Sequence, residues 1–154
     1  MNKKLFSWPE YTRYVDELCT KICSTPLPAN TVLLAIGRGG YIPGVVISHA
    51  LDKPLLTVDV KAYAGTDCTG AHINSWPSGL ESAENILLID DIYETGATMQ
   101  RIATVLNDPD ITLYRAAIFD KHTDPSLPML NFSVWNDQWI KDAWLILPYE
   151  KQVD

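Results

Sequence analysis

Residues Ile86–Met99 read ILLIDDIYETGATM. The four apolar residues Ile86–Ile89 form the kind of run shown by a strand buried on both faces. Asp90 and Asp91 follow at once. Adjacent carboxylates at a strand end are costly when buried unless a cation, hydrogen-bond donors or water meet them. Glu94-Thr95-Gly96-Ala97-Thr98 then begins a helix whose apolar side is marked by Met99, Ile102, Ala103 and Leu106. Gly96 allows close backbone approach, the first amides of the helix are free, and Thr95 and Thr98 add hydroxyl donors, so this loop suits an anion. Carboxylates able to accept from sugar hydroxyls, beside donors able to hold a phosphate, suit a phosphorylated sugar. The plainer alternative is an exposed acidic turn followed by a Thr-capped helix.

Outward from this stretch, strands and helices alternate. Ser7-Trp8-Pro9-Glu10 reads as a capping box, and Tyr11, Tyr14, Val15, Leu18 and Ile22 recur at helical spacing to about Cys23, before Pro26 and Pro28. Thr31–Ile36 (TVLLAI) is a short buried strand, Gly37-Arg38-Gly39-Gly40 a tight loop, and Pro43 opens a helix carrying Val45, Val46, Ile47, Ala50 and Leu51. Leu55–Val60 is the next strand. Ala62–Glu84 carries Gly, Ser, Thr, Asp and Pro without a clear period, and connections of that length in compact domains are lids, binding loops or disordered segments. Ile111–Phe119 is a fourth strand, and the tail offers short strands at Phe132–Trp135 and Trp144–Leu147 with Trp139 between them. This order predicts a single α/β domain over 1–154, with a mostly parallel sheet flanked by helices. In such sheets ligands bind at the carboxyl ends of the strands, which singles out the loops after Ile36, Val60, Ile89 and Phe119. A response-regulator receiver also pairs two acids, but there they follow the first strand, and here they follow the third.

Composition narrows the function classes. With 154 residues, 47% of them hydrophobic and 20% charged, the chain can bury a core, and wholesale disorder is excluded. A net charge of −7 argues against nucleic acid or a membrane surface as partner. No apolar run approaches the ~20 residues of a membrane-spanning helix. The opening MNKKLFSWPEY has two lysines but no apolar run behind them, so no secretory signal is expected. Cys19, Cys23 and Cys68 are odd in number and form no CxxC pair, which predicts reduced thiols and a cytoplasmic protein.

ILLIDDIYETGATM closely resembles the PRPP (diphosphate-sugar) motif of the type I phosphoribosyltransferases: four apolar residues, two acids, two mostly apolar residues, then an acid before Thr-Gly and Thr. The resemblance extends to the bacterial xanthine-guanine branch. AIGRGGYIPG (Ala35–Gly44) is similar to its first loop, TVDVKAY (Thr57–Tyr63) to its strand into the mobile loop, IFDKHTD (Ile118–Asp124) to its lysine-bearing strand end, and DQWIKDAWLILPY (Asp137–Tyr149) to its base-binding hood. The resemblance implies the type I fold with a small C-terminal hood over about 120–154. It implies that Asp90 and Asp91 bind the ribose hydroxyls directly or through Mg²⁺, and that Glu94, Thr95, Gly96, Ala97 and Thr98 enclose the 5′-phosphate. Arg38 and Gly39 would stand at the pyrophosphate loop, where the family commonly has a non-proline cis peptide. Lys121 would donate to the oxygen at C6 of a 6-oxopurine, Trp139 would stack on the base, and Ile140 would contact its far edge through backbone. The substrates implied are PRPP and a purine base, with the loop at 62–84 closing to exclude water. Relatives of this branch are dimers or tetramers, so a homodimer or homotetramer is implied.

The sequence departs from the pattern in three places. The third acid, Asp in the family and its proposed general base, is Glu94 here, and one extra methylene displaces the carboxylate by roughly 1.5 Å, enough to matter to rate. No Lys or Arg lies between Lys61 and Arg101, so the long loop brings no cation. Lys141 and Asp142 differ from the branch's acid-rich hood, which leaves guanine, xanthine and hypoxanthine open as bases. Two other functions compete with a purine-salvage transferase. A non-catalytic PRPP-sensing module would need a basic face that a charge of −7 does not supply. A dinucleotide-binding domain around Gly37–Gly44 lacks the third glycine of that fingerprint at its required place.

Overall fold

The computed structural model describes residues 1–62 and 71–150. In chain order the elements are β1 (Asn2–Leu5), α1 (Trp8–Cys23), β2 (Thr31–Ile36), α2 (Tyr41–Leu51), β3 (Leu55–Ala62), β4 (Ala71–Ser75), β5 (Asn85–Tyr93), α3 (Ala97–Leu106), β6 (Thr112–Asp120), α4 (Gln138–Lys141) and β7 (Ala143–Ile146). The central sheet runs β4-β3-β2-β5-β6. β2, β3, β5 and β6 are parallel, and only β4 is antiparallel.

The sheet alternates its apolar residues between two cores, as period-two side chains must. Leu33, Leu87, Ile89, Ala116 and Ile118 face α1 and α2, packing on Tyr11, Val15, Leu18, Ile22 and Ile47. Leu34, Ile36, Ile86, Leu88 and Ala117 face α3, packing on Met99 and Ile102. The α/β architecture with a mostly parallel sheet between helices is the one the sequence predicts. The Ser7 capping box is formed: the Glu10 N–H donates to Ser7 Oγ at 3.3 Å, and the Ser7 N–H to Glu10 Oε2 at 3.4 Å.

Several expectations are corrected. The Ala62–Glu84 stretch is not wholly irregular, since β4 pairs with the end of β3, where a bulge lies at Asp59 and Val60. AHINS is short and polar, so its strand state comes from that pairing and not from a pattern of its own. The remainder of the expected lid at 63–70, with Tyr63 and Cys68, lies outside the described residues. β1 was not expected either. NKKL has no period, and it is extended because it pairs in parallel with β7. Phe132–Trp135 makes only isolated bridges, to Ala116 and Phe119. There the Asn131 side chain takes a place in the ladder by accepting from the Arg115 N–H at 2.7 Å. α2 begins at Tyr41, two residues before Pro43. Among the described residues every peptide is trans, including Arg38–Gly39, and Gly37 at φ +51° makes the turn out of β2. No helix among them is long and apolar enough to cross a membrane.

Strand order fixes where the crevice opens. From β2 the chain moves to β3 and β4 on one side, then returns to β5 on the other, so β2 and β5 flank the topological switch point. Their pairing ends at Ala35 and Ile89, while β5 continues against β6 to Tyr93 and Asp120. Asp90 and Asp91 therefore stand where β2 has turned away.

Candidate active site

On one side of the crevice the glycine loop presses against the acids. A Cβ on Gly39 would collide with the Asp91 carboxylate, and one on Gly40 would collide with the backbone carbonyl of Ile89. Arg38 is exposed on the same loop. The acid pair is held from within β5: the Asp91 N–H donates to Asp90 Oδ1 at 2.8 Å, and the Ile92 N–H donates to Asp91 Oδ1 at 2.6 Å. Burial, and then the neighbouring Asp91 carboxylate, push the Asp90 carboxyl well above the usual carboxylate range.

Beyond the acids, Gly96 caps α3 with φ +74°, and no side chain closes the helix N-terminus. A Cβ there would come within 2.7 Å of the Tyr93 hydroxyl and 2.9 Å of Leu127 Cδ1, so close packing and the positive φ both select glycine. The Thr95 hydroxyl accepts from the Ala97 N–H at 3.3 Å and keeps its own proton for another acceptor. Thr98 is half-buried in the first turn. The other amides of this first turn lie at the positive end of the helix dipole, an arrangement suited to an anion.

β6 delivers the next group. The Lys121 N–H donates to the Tyr93 carbonyl at 2.8 Å, which places the end of β6 beside the β5 loop. Lys121 Nζ then reaches Glu94 Oε1 at 2.8 Å. The lysine side chain is only 8% exposed and the glutamate 63%, so a nearly buried cation is met by a largely solvated anion. Trp139 is exposed and stacks on Trp135, with ring centroids 6.1 Å apart and planes 13° from parallel. Trp135 is tied to the end of β6, because its carbonyl accepts from the Asp120 N–H at 2.8 Å. The Ile140 side chain is buried in the core, its N–H donates to Asp137, and its carbonyl accepts from Asp142. The structure thus joins Gly39 to Asp91 and Glu94 to Lys121. It brings Trp139 to Trp135, one residue pair removed from Lys121.

Two residues that the sequence pattern did not mark stand behind the acids. The Tyr149 hydroxyl donates to Asp91 Oδ2. The Tyr11 ring lies edge-on to Tyr149 at 5.6 Å, and its fully buried hydroxyl lacks a partner in hydrogen-bonding geometry. Burial, and then the Asp91 charge, raise both phenols well above the usual tyrosine range. Tyr11 reads in sequence as one more apolar position of α1, and Tyr149 as the end of the hood. No local signal connects either to Asp91.

The donor set accommodates a hard divalent cation. Asp90 and Asp91 offer carboxylate oxygens at the crevice, and among the described residues no cluster of three or more His, Cys, Asp or Glu could hold a metal by itself. One or two carboxylates completed by substrate phosphates and water is how Mg²⁺ is ordinarily bound. Cys19 and Cys23 are free thiols on α1, with Sγ atoms 3.9 Å apart.

Comparison with known proteins places this geometry. Residues 1–143 match the phosphoribosyl transferase domain family. A xanthine-guanine phosphoribosyltransferase of Chromohalobacter salexigens is 28% identical over 141 residues, covering 90% of this chain and 81% of the relative. The crystal structure of a purine phosphoribosyltransferase from Pyrococcus horikoshii superposes with a TM-score of 0.77 at 25% identity, over 100% of this chain and 98% of that one. A xanthine-guanine-hypoxanthine phosphoribosyltransferase of Helicobacter pylori shares the fold, with a TM-score of 0.70 at 18% identity, over 97% and 94% of the two chains.

Proposed function

The chain belongs to the phosphoribosyl transferase domain family, and from that premise we propose that it transfers the 5-phosphoribosyl group of PRPP to N9 of a 6-oxopurine, releasing pyrophosphate, in purine salvage. The observation that carries the choice of base is the pair of Lys121 and Glu94, whose donor and acceptor atoms lie 2.8 Å apart. A 6-oxopurine protonated at N7 offers an acceptor, O6, beside a donor, N7–H, on one edge, and the pair complements it. Each partner has capacity left, since an ammonium has three donors and a carboxylate accepts at two oxygens. Adenine would set an amino donor against the lysine, and sites of this kind reject a mismatched donor strongly. The similarity to the Chromohalobacter salexigens xanthine-guanine and Pyrococcus horikoshii purine phosphoribosyltransferases is consistent with this reading.

The remaining parts follow from the two ends of the crevice. The α3 N-terminus with Thr95, Gly96, Ala97 and Thr98 holds the 5′-phosphate, and Asp90 and Asp91 take the ribose hydroxyls. Arg38 and the amides around Gly39 face the pyrophosphate. The transition state of such a transfer places positive charge on the ribose and negative charge on the leaving group, so fixed charges of both signs are needed. Mg²⁺, which the two aspartates would hold together with substrate, supplies charge neutralisation for pyrophosphate. Glu94 receives the N7 proton as N9 attacks C1, and Lys121 holds O6. Trp139 offers a ring face to the base. The free thiols Cys19 and Cys23 support a cytoplasmic enzyme.

The test is a panel of guanine, xanthine, hypoxanthine, adenine, uracil and orotate with MgPRPP, following pyrophosphate release. Turnover with one or more 6-oxopurines and none with adenine is expected. PRPP binding without turnover of any base would replace the transferase with a sensor. In the same assay Glu94→Asp, which restores the family's usual acid, should raise the rate, and an unchanged rate for Glu94→Gln would remove the glutamate from proton transfer.

A further inference from the structure

We propose that Tyr149 is a positioning residue for the ribose-phosphate site, a brace that the C-terminal tail extends to Asp91 from outside the motif. The inference rests on the function proposed above and concerns how one of its acids is oriented. Asp91 has few means of holding its direction. Its neighbour Asp90 is bonded to the Asp91 backbone N–H, and the glycine loop beside it contributes no side chain at Gly39. One oxygen is fixed by the Ile92 N–H at 2.6 Å. The other is fixed by the Tyr149 hydroxyl, 58 residues away in sequence. With both oxygens held and Gly39 against the carboxylate, a single orientation remains. Each oxygen keeps acceptor capacity for a ligand.

The brace is itself supported. Tyr149 follows β7, whose pairing with β1 is extended by the Phe6 N–H donating to the Ile146 carbonyl at 2.9 Å. The turn after β7 is closed by the Leu147 N–H donating to Glu150 Oε2 at 2.7 Å and by the Glu150 N–H donating to the Leu147 carbonyl at 3.0 Å. Tyr11 and Trp8 pack on the Tyr149 ring, with centroids at 5.6 and 6.5 Å. The small terminal sheet therefore carries a polar group to the acids as well as contributing to the hood. An unsupported carboxylate would sample several rotamers, and the ligand would have to select one of them, which weakens binding.

The experiment compares Tyr149→Phe with wild type in direct MgPRPP binding by calorimetry and in steady-state kinetics. Tyr11→Phe is the matched control, since it keeps the ring that supports Tyr149 and removes a hydroxyl that makes no hydrogen bond to Asp91. For Tyr149→Phe we expect PRPP affinity to fall about tenfold and KM for PRPP to rise in parallel, while KM for the base stays within about twofold. Tyr11→Phe should bind PRPP as wild type does. Unchanged PRPP affinity in Tyr149→Phe would overturn the inference. So would equal losses for PRPP and base, or an equal loss in Tyr11→Phe, since either would mean general loosening. Thermal melting of each variant sets a temperature at which all are folded. A wild-type chain that binds no MgPRPP would overturn the proposed function and this inference with it, whereas a binding wild type with an equally tight Tyr149→Phe would overturn the inference alone.

Discussion

On the side of the crevice proposed for the phosphates, the walls are backbone. Gly39 and Gly40 lie against β5, Gly96 turns into α3, and the groups offered to a ligand are amides, Thr hydroxyls and two acids, in two stretches of chain each under ten residues long. On the side proposed for the base, the walls are side chains brought from far apart. Lys121 meets Glu94 across 27 residues, and Trp139 leans on Trp135. A backbone wall tolerates no added atom, because its neighbours are carbonyls and amides already committed to the sheet. A side-chain wall tolerates changes of size but is sensitive to which partner of a pair is lost. The two sides should therefore fail differently when altered.

The largest effect is expected on the phosphate side. A Cβ at Gly40 would collide with the Ile89 carbonyl and stand 2.7 Å from the Ile36 nitrogen. Both belong to the paired ends of β2 and β5, so Gly40→Ala should cost about 3 kcal/mol in urea unfolding. Gly44→Ala, whose Cβ would stand 3.0 Å from Ala35 Cβ and 3.3 Å from the Leu55 methyls, needs shifts of only a few tenths of an ångström and should cost less, about 1 kcal/mol. Equal stabilities for the two variants would break the distinction between backbone and side-chain walls.

On the base side the informative quantity is an asymmetry. Glu94→Ala leaves the Lys121 ammonium, 8% exposed, without its anion, and should cost about 1–2 kcal/mol, discounted from a fully buried pair because the glutamate is solvated. Lys121→Met keeps an apolar stem and leaves only a 63% exposed carboxylate unpaired, so about 0.5 kcal/mol is expected. Chemical denaturation measures both. The same cost on either side would show that burial of the lysine does not govern the pair.

A smaller effect lies where the two sides meet. Asp90 holds its proton more tightly in the folded chain than at its ordinary pKa of 3.8, because of burial and then Asp91. A raised folded pKa gives a contribution to stability that is complete below 3.8 and is lost as pH rises through the folded value. At neutral pH the ligand-free wild type thus carries a penalty that Asp90→Asn lacks. In chelator, the variant should melt above wild type at neutral pH, with the gap closing on acidification toward 3.8. A gap independent of pH would show that Asp90 is not the group responsible.

The same contrast separates what could be read in the chain from what could not. Thr31–Ile36 and Ile86–Ile89 announce themselves as buried strands because every residue must be apolar when both faces are covered. Gly96-Ala97-Thr98 announces a helix start because a positive φ and free amides call for those residue types. β1 and β4 carry no such mark. NKKL and AHINS are extended because a neighbouring strand offers them hydrogen bonds, and that neighbour is found only after the chain has folded.

The site divides along the same line. Asp90, Asp91, Glu94 and the threonines could be assigned together because a strand end, a loop and a helix start place them by local geometry alone. Lys121 and Trp139 entered only through likeness to a family, since a lone lysine or tryptophan has no local meaning. Tyr11 and Tyr149 were not marked at all. The sequence by itself determined the α/β order, the carboxyl-end crevice and the glycine turn that starts α3, all of which depend on interactions within a few residues. Tertiary structure decided that Glu94 meets Lys121, and that the Tyr149 hydroxyl donates to Asp91. Side-chain hydrogen bonds between distant segments depend on how helices and strands pack, and neither spacing nor composition records that packing.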